Sequence, residues 1–189
     1  PPPAASTATT ATAPVEPEDA PLPPSDLETR LPAPVREAVL KPFTGDFKEM
    51  IDRKAIRVGV VFSRTFYFVD KGMQRGTAYD YGLLMEDRLN AKLGSGNIKV
   101  HVVFIPMAPQ DQLPALINGQ VDLVAGHLTI TPERLKVVDF TDPTRTNVNE
   151  IVVTGPGSKP LASVNDLSGR DVFVRPSSNY HDSLEALNK

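Results

Sequence analysis

The sequence predicts an α/β domain with a parallel sheet, and two observations carry this prediction. Apolar runs with strand spacing alternate with segments of helical spacing between residues 56 and 125. The three main runs are separated by whole helices, which is the connection that neighbouring parallel strands require. A third observation indicates where the folded domain begins. Eleven of the 19 prolines lie in the first 42 residues, and these residues contain no aromatic side chain.

Residues 1–42 are predicted to be a disordered Pro-rich tether and connector. Residues 1–24 consist mostly of Pro, Ala, Thr and Ser, which cannot bury enough apolar surface to offset the entropy of ordering. The functional interpretation is a spacer that follows a removed export signal and a lipid anchor upstream, and the alternative is a plain terminal tail. Residues 1–42 contain three basic and six acidic residues, whereas residues 43–189 contain 17 basic and 17 acidic residues.

Composition excludes several classes of function. The net charge of −3 gives no support to a nucleic-acid surface, and no stretch approaches the roughly 18 apolar residues of a membrane-spanning helix. The absence of Cys excludes a disulfide scaffold, a thiolate zinc site and a cysteine nucleophile. The three histidines lack metal-ligand spacing, and no catalytic motif is present. We therefore expect no catalytic residues, no metal and no cofactor.

The elements of the first half follow from local signals. Asp46 is predicted to cap a helix over 46–53, and a strand follows at 56–60. A hairpin is predicted around residues 70–72, where Gly72 can take a positive φ. Asp80 is then predicted to cap a helix that Gly94 ends.

The second half continues the same alternation. A strand is predicted at 100–104, a helix at 113–117 that Gly119 ends, and a nearly all-apolar strand at 121–125, as expected for a strand covered on both faces. A strand at 151–153 precedes a Gly/Pro break at 155–160. A further strand at 171–175 and a helix at 178–187 then form a separate βα unit.

The segment 122–143, DLVAGHLTITPERLKVVDFTDP, resembles the bacterial extracellular solute-binding proteins of family 3. IRVGV at 56–60, Gly76 to Asp80 and LASVNDLSGRDVFVRPSS at 161–178 extend the resemblance over about residues 47–189. The stretch 62–76 is most similar to the branch in which the binding module precedes a lytic murein transglycosylase domain.

The resemblance implies a two-lobed type II periplasmic binding fold. Residues 43–154 would form lobe 1, largely present, and residues 155–189 the linker and first βα unit of a truncated lobe 2. It implies a periplasmic, non-catalytic sensor or binding module for a small carboxylate-bearing ligand, such as an amino acid, a peptide or a cell-wall fragment. Its partners would be a C-terminal transglycosylase domain or an ABC permease. The alternatives are an importer binding protein, a cyclohexadienyl dehydratase-like enzyme and a structural fragment without ligand affinity.

Thr129 and Arg134 are the first candidates for ligand binding. They follow the third strand, at the edge of a parallel sheet where open α/β sheets bind ligands. Thr131 can cap the turn that begins at Pro132, and the planar guanidinium of Arg134 matches a carboxylate. In the family the residues at the positions of Thr129 and Arg134 hold a ligand carboxylate. The alternative is that Arg134 pairs internally with Asp139 or Asp142.

The other candidates have weaker support. His127 lines the ligand pocket or merely packs. Ser177 and Ser178 precede a helix whose first N–H groups favour an anion, although a plain N-cap is equally consistent. Ser63, Phe66 and Tyr67 lie in the loop and hairpin that wall the cleft, where core packing is as good an explanation for the aromatic residues.

Overall fold

The structure is a computed structural model that describes Glu37 and residues 39–189. The predicted tether, residues 1–24, and the connector up to residue 36 lie outside the described residues. The helices and strands are α1 (Phe47–Asp52), β1 (Ala55–Val61), β2 (Phe68–Asp70), β3 (Met73–Arg75), α2 (Thr77–Leu93), β4 (His101–Met107), α3 (Gln112–Ile117), β5 (Leu123–Ala125) and α4 (Asn179–Leu187). Of these helices, none has the length and apolar character needed to cross a membrane.

The central sheet is parallel, with the strand order β4-β1-β5. Ala55 to Val61 pair in register with His101 to Met107, and Val58 to Val60 pair with Leu123 to Ala125. Because β1 lies in the middle, its residues 55–60 are all buried. The predicted α/β fold with a parallel sheet is confirmed.

The hydrophobic core lies between the sheet and α2. Ile56, Val58 and Val60 of β1 are buried together with Tyr67 and Val100. A Cβ on Gly82 of α2 would lie 2.3 Å from the ring of Phe104, so the helix approaches the sheet closely only because this residue has no side chain.

Two helix ends follow the sequence prediction. Asp46 and Glu49 form a reciprocal capping box at the start of α1, with Oδ1 of Asp46 accepting from the Glu49 N–H at 3.1 Å. Gly94 ends α2 in the left-handed conformation, with φ of 61°.

The predicted N-cap of α2 is wrong by four residues. The helix begins at Thr77, with Gly76 as N-cap, and Asp80 lies in its first turn rather than at its cap. The N–H groups of Thr77 and Ala78 donate to the carbonyls of Thr65 and Phe66, at 3.1 and 2.9 Å. Since the preceding loop satisfies these donors, the helix needs no side-chain cap.

Three of the predicted strands differ from the structure. β5 has three residues and lies at an edge of the sheet, so Leu123 is 41% exposed rather than covered on both faces. Residues 151–153 and 171–175 are in no strand, because no described segment pairs with them. Ile151 and Phe173 are accordingly 82% and 98% exposed.

The helix predicted at 178–187 is present as α4, with Ser178 at its N-cap. The carboxylate of Glu150 joins α4 to the preceding segment. Its Oε1 accepts from Nδ2 of Asn179 at 2.9 Å and from the hydroxyl of Ser183 at 3.1 Å.

A buried charge network holds the segment 39–45, which we call the N-terminal strap, against the sheet. The side chain of Arg57 is fully buried, and its Nη2 contacts Oδ1 of Asp122 at 2.8 Å. Nη1 donates to the carbonyl of Lys41 at 3.0 Å, and a longer bond of 3.4 Å reaches Val39. Phe43 donates its N–H to the carbonyl of Gly119 at 2.8 Å. The N-terminal strap is therefore hydrogen-bonded to the rest of the domain at the amino edge of the sheet.

Candidate functional site

The candidate site lies at the carboxyl edge of the parallel sheet. β1, β4 and β5 end at Val61, Met107 and Ala125. Because all three strands run the same way, the residues that follow them meet at one edge, which is where open α/β sheets bind ligands. Most of the residues predicted from the sequence follow β1 or β5, whereas Ser177 and Ser178 precede α4.

Phe66 and His127 are brought together at this edge. Their ring centroids are 4.7 Å apart, with an interplanar angle of 55°. Phe66 is half-buried and His127 is exposed, so the pair presents a partly accessible aromatic surface. Such a surface can pack against the apolar or planar part of a small ligand.

Ser63 shapes the loop that presents Phe66. Its hydroxyl accepts the N–H of Phe66 at 3.0 Å, and its own N–H donates to the carbonyl of Tyr67 at 2.8 Å. The Ser63 hydroxyl therefore holds a turn, and its role in contacting a ligand stays a prediction.

Tyr67 lies in the hydrophobic core rather than on the wall of the crevice. It is 4% exposed, its ring stacks on Phe104 with centroids 5.7 Å apart, and its hydroxyl donates to Oε1 of Gln74 at 2.8 Å. Burial raises the pKa of the Tyr67 phenol, with a smaller contribution from Tyr79. Of the two aromatic candidates, only Phe66 retains an accessible surface.

Arg134 is held by its own loop. Nη1 donates to the carbonyl of Thr129 at 2.8 Å, and the Arg134 N–H donates to the hydroxyl of Thr131 at 3.3 Å. Among the described residues, Arg134 forms no ion pair with Asp139, Asp142 or any other carboxylate. One arm of the guanidinium is thus fixed by the backbone, and the half-buried side chain keeps further donors for a carboxylate.

The two serines before α4 form a turn of their own. The hydroxyl of Ser178 donates to the carbonyl of Arg175 at 2.9 Å, and Ser177 is exposed. Within residues 39–189, no hydrogen bond joins either serine to Thr129, Arg134 or His127. Their contact with a ligand stays a prediction.

A cavity of about 530 Å³ lies away from these residues, between the β2–β3 hairpin and the start of α2. Phe68, Arg75, Tyr79 and Asp80 are part of its lining. The first N–H groups of α2 are already paired with carbonyls of the preceding loop. Chemistry and topology therefore favour the sheet edge over this cavity as the ligand site. In the described part of the chain, no three His, Asp or Glu side chains are grouped so as to hold a metal ion.

Two features at the ends of the sheet were missed from the sequence. Arg57 occupies a polar position in the predicted strand 56–60, and a charged residue in a strand covered on both faces indicates a buried ion pair. Gln112, at the start of α3, is buried against Gly126, which directly follows β5. No local pattern marks that contact, because it joins residues 14 positions apart.

A family model matches most of the chain. The model of the bacterial extracellular solute-binding proteins, family 3, matches residues 56–189, from the second residue of β1 to the end of the chain. The match includes every candidate ligand-binding residue. It leaves out the N-terminal strap.

Two curated relatives differ in how much of the chain they match. A membrane-bound lytic murein transglycosylase F of Idiomarina loihiensis is 24% identical over 140 residues, which are 72% of this chain and 28% of that protein. A probable histidine-binding protein of Neisseria gonorrhoeae is 37% identical over 82 residues, which are 43% of this chain and 29% of that protein. The chain thus spans between a quarter and a third of the length of these relatives.

A solved structure gives a similar partial match. The crystal structure of an ancestral amino acid-binding protein, described as a precursor of cyclohexadienyl dehydratase, is 35% identical. The match covers 51% of this chain and 39% of the ancestral protein's chain, with a TM-score of 0.43.

Proposed function

The chain belongs to the bacterial extracellular solute-binding proteins of family 3, and from this premise we propose that it grips a small ligand by a carboxylate. The ligand would be an amino acid, a peptide or a cell-wall fragment, and a free amino acid is the simplest of these to test first. The 37% identity to a probable histidine-binding protein makes L-histidine the first probe. A periplasmic location follows from the same proposal.

The proposal rests on the contacts that the guanidinium of Arg134 makes and on those that it lacks. Its guanidinium is oriented by the Thr129 carbonyl and has no carboxylate partner among the residues described. A planar guanidinium with free donors binds a carboxylate in a bidentate geometry, and such charge-assisted bonds are about twice as strong as neutral ones. The Phe66–His127 pair supplies an apolar surface for the rest of the ligand.

Calorimetric titration of L-histidine, followed by the other standard amino acids, tests this proposal. Arg134→Ala should weaken binding by at least tenfold, since hydrogen bonds to charged groups contribute about 1.5–3 kcal/mol. Lys136→Ala is the matched control, because Lys136 lies in the same 3₁₀ turn, Arg134–Lys136, and its exposed side chain carries the same charge. Equal affinity in wild type and Arg134→Ala would remove Arg134 from the site.

We propose further that this domain is the sensor part of a lytic transglycosylase-like protein rather than an importer binding protein. The match to the transglycosylase covers 72% of this chain, whereas the match to the histidine-binding protein covers 43%. A sensor of wall turnover would prefer a murein tetrapeptide over a free amino acid. Competition between the tetrapeptide and L-histidine distinguishes the two roles, since an importer protein would prefer the amino acid.

An enzymatic role of the dehydratase type is the remaining alternative. It requires a side chain that transfers a proton to the substrate in the crevice. Incubation of the protein with prephenate, followed by product analysis, tests it directly, and turnover above the uncatalysed rate would replace the binding proposal.

A further inference from the structure

Gln112 is a buried polar side chain to which the proposed binding mode assigns no role. It is 1% exposed, and its Nε2 has no hydrogen-bond partner among the described residues. An unpaired buried donor costs free energy, so native proteins keep few of them and those often have a functional reason.

The amide of Gln112 lies directly beneath the segment that carries the predicted ligand contacts. A Cβ built on Gly126 would be 2.9 Å from both the nitrogen and the oxygen of this amide. Gly126 follows β5 and precedes His127, whose ring packs on Phe66. Gln112 itself follows β4, so it belongs to the same carboxyl edge of the sheet.

The backbone of Gly126 is one source of an acceptor, because it lies close to this amide. A ligand in the crevice cannot reach an amide that is 99% buried, whereas this backbone is already in contact with it. Gly126 has no side chain, so its backbone can rotate at little cost and turn a carbonyl towards the amide. A conformation that pairs the buried donor gains a hydrogen bond that the unpaired conformation lacks.

We propose that Gln112 is a positioning residue of the ligand site. Ligand binding turns a carbonyl of Gly126 or His127 towards Nε2 of Gln112, and this hydrogen bond holds His127 and Thr129 in their ligand-bound positions. The inference rests on the proposed function, because it needs a ligand at the sheet edge.

Gln112→Met is the test variant, because methionine has a similar volume and no donor. The urea unfolding midpoint should stay equal or rise, since the change removes an unpaired buried group. The affinity for L-histidine should fall about threefold to tenfold, which corresponds to one hydrogen bond. Gln120→Met, at an exposed glutamine just beyond the same helix, is the matched control and should change neither quantity.

A spectroscopic signature separates positioning from mere packing. The side-chain amide resonance of Gln112 is identified as the ¹⁵N–¹H pair that disappears in Gln112→Met. Saturating L-histidine should shift this resonance downfield, as expected when an N–H gains an acceptor, and should leave that of Gln120 in place.

Each result decides the matter. A lower midpoint in Gln112→Met overturns the inference, because the amide would then be paired already in the free protein. Unchanged affinity, or an unshifted amide resonance, overturns it too. If L-histidine binds the wild type but not Arg134→Ala, and Gln112→Met is neutral, only the inference fails. If L-histidine does not bind the wild type, the proposed binding of this ligand fails and the inference fails with it.

Discussion

Arg57 and Asp122 form an ion pair in which both side chains are completely buried, with Nη2 of Arg57 2.8 Å from Oδ1 of Asp122. Asp122 also accepts the N–H of Arg57 at 2.7 Å and pairs with Arg53. Burial lowers the pKa of Arg53, and the charge of Asp122 opposes that effect. One carboxylate thus compensates two guanidinium groups at the amino edge of β1 and β5.

Asp122→Asn should destabilise the protein by about 3–5 kcal/mol, because it leaves a buried guanidinium without a compensating charge. Urea unfolding followed by circular dichroism measures this loss. Asp52→Asn is the control, since Asp52 pairs with Lys48 at 2.7 Å on an exposed helix face and should barely move the midpoint. Similar shifts in the two variants would contradict the importance of the buried pair.

Gly119→Ala should destabilise more than Gly94→Ala, although both residues are in the left-handed conformation, with φ of 67° and 61°. At Gly94 a Cβ meets nothing within 4 Å, so only the backbone cost of about 1–2 kcal/mol applies. At Gly119 a Cβ would lie 2.5 Å from the carbonyl oxygen of Phe43. Thermal unfolding of both variants tests this, and equal midpoints would mean that the strap moves aside freely.

Alkaline pH should destabilise the wild type more than Tyr67→Phe. Burial raises the pKa of Tyr67, so the folded protein holds the phenolic proton more tightly than the unfolded chain does. The contribution of this group to the free energy of unfolding is complete below about pH 10, the ordinary pKa of tyrosine. It is lost as the pH rises through the higher pKa of Tyr67 in the folded protein. Unfolding midpoints at pH 9 and pH 11 give the comparison.

The phenolate absorbance identifies the group responsible. The component that titrates last should vanish in Tyr67→Phe and persist in Tyr81→Phe, whose side chain is 73% exposed. If the component that titrates last remained in Tyr67→Phe, it would belong to another tyrosine.

His127→Ala should weaken binding of L-histidine about threefold to tenfold, because a ligand loses the partner ring of Phe66. His101→Ala is the control. His101 lies at the start of β4, where its Nδ1 is 3.3 Å from Glu86, far along the strand from the carboxyl edge. Calorimetric titration measures both affinities, and an unchanged value for His127→Ala would leave His127 with a packing role.

The parts of the fold that were predicted correctly depend on neighbours in sequence. The capping box of Asp46 and Glu49 spans three residues, and the left-handed Gly94 ends α2 within one turn. Thr131 and Arg134, which form the turn at the site, are also three residues apart. Each of these signals is complete within a few residues, so the sequence alone was sufficient.

The errors depend on distant partners. α2 begins at Thr77 because carbonyls more than ten residues earlier accept its first N–H groups. The segments 151–153 and 171–175 have strand composition, but a strand needs a neighbour and no described segment provides one. The contact of Gln112 with Gly126 crosses from one strand end to another, so no spacing within the sequence announces it.

The attachment of the N-terminal strap determines where a mechanical load would enter the protein. A pull on the chain before Val39 acts first on the bonds from Arg57 to the carbonyls of Val39 and Lys41. Arg57 belongs to β1, the middle strand, which is hydrogen-bonded to a neighbour on both sides. Tension would therefore shear two strand pairs at once instead of peeling an edge strand, and it would arrive at the edge of the sheet opposite Phe66 and His127.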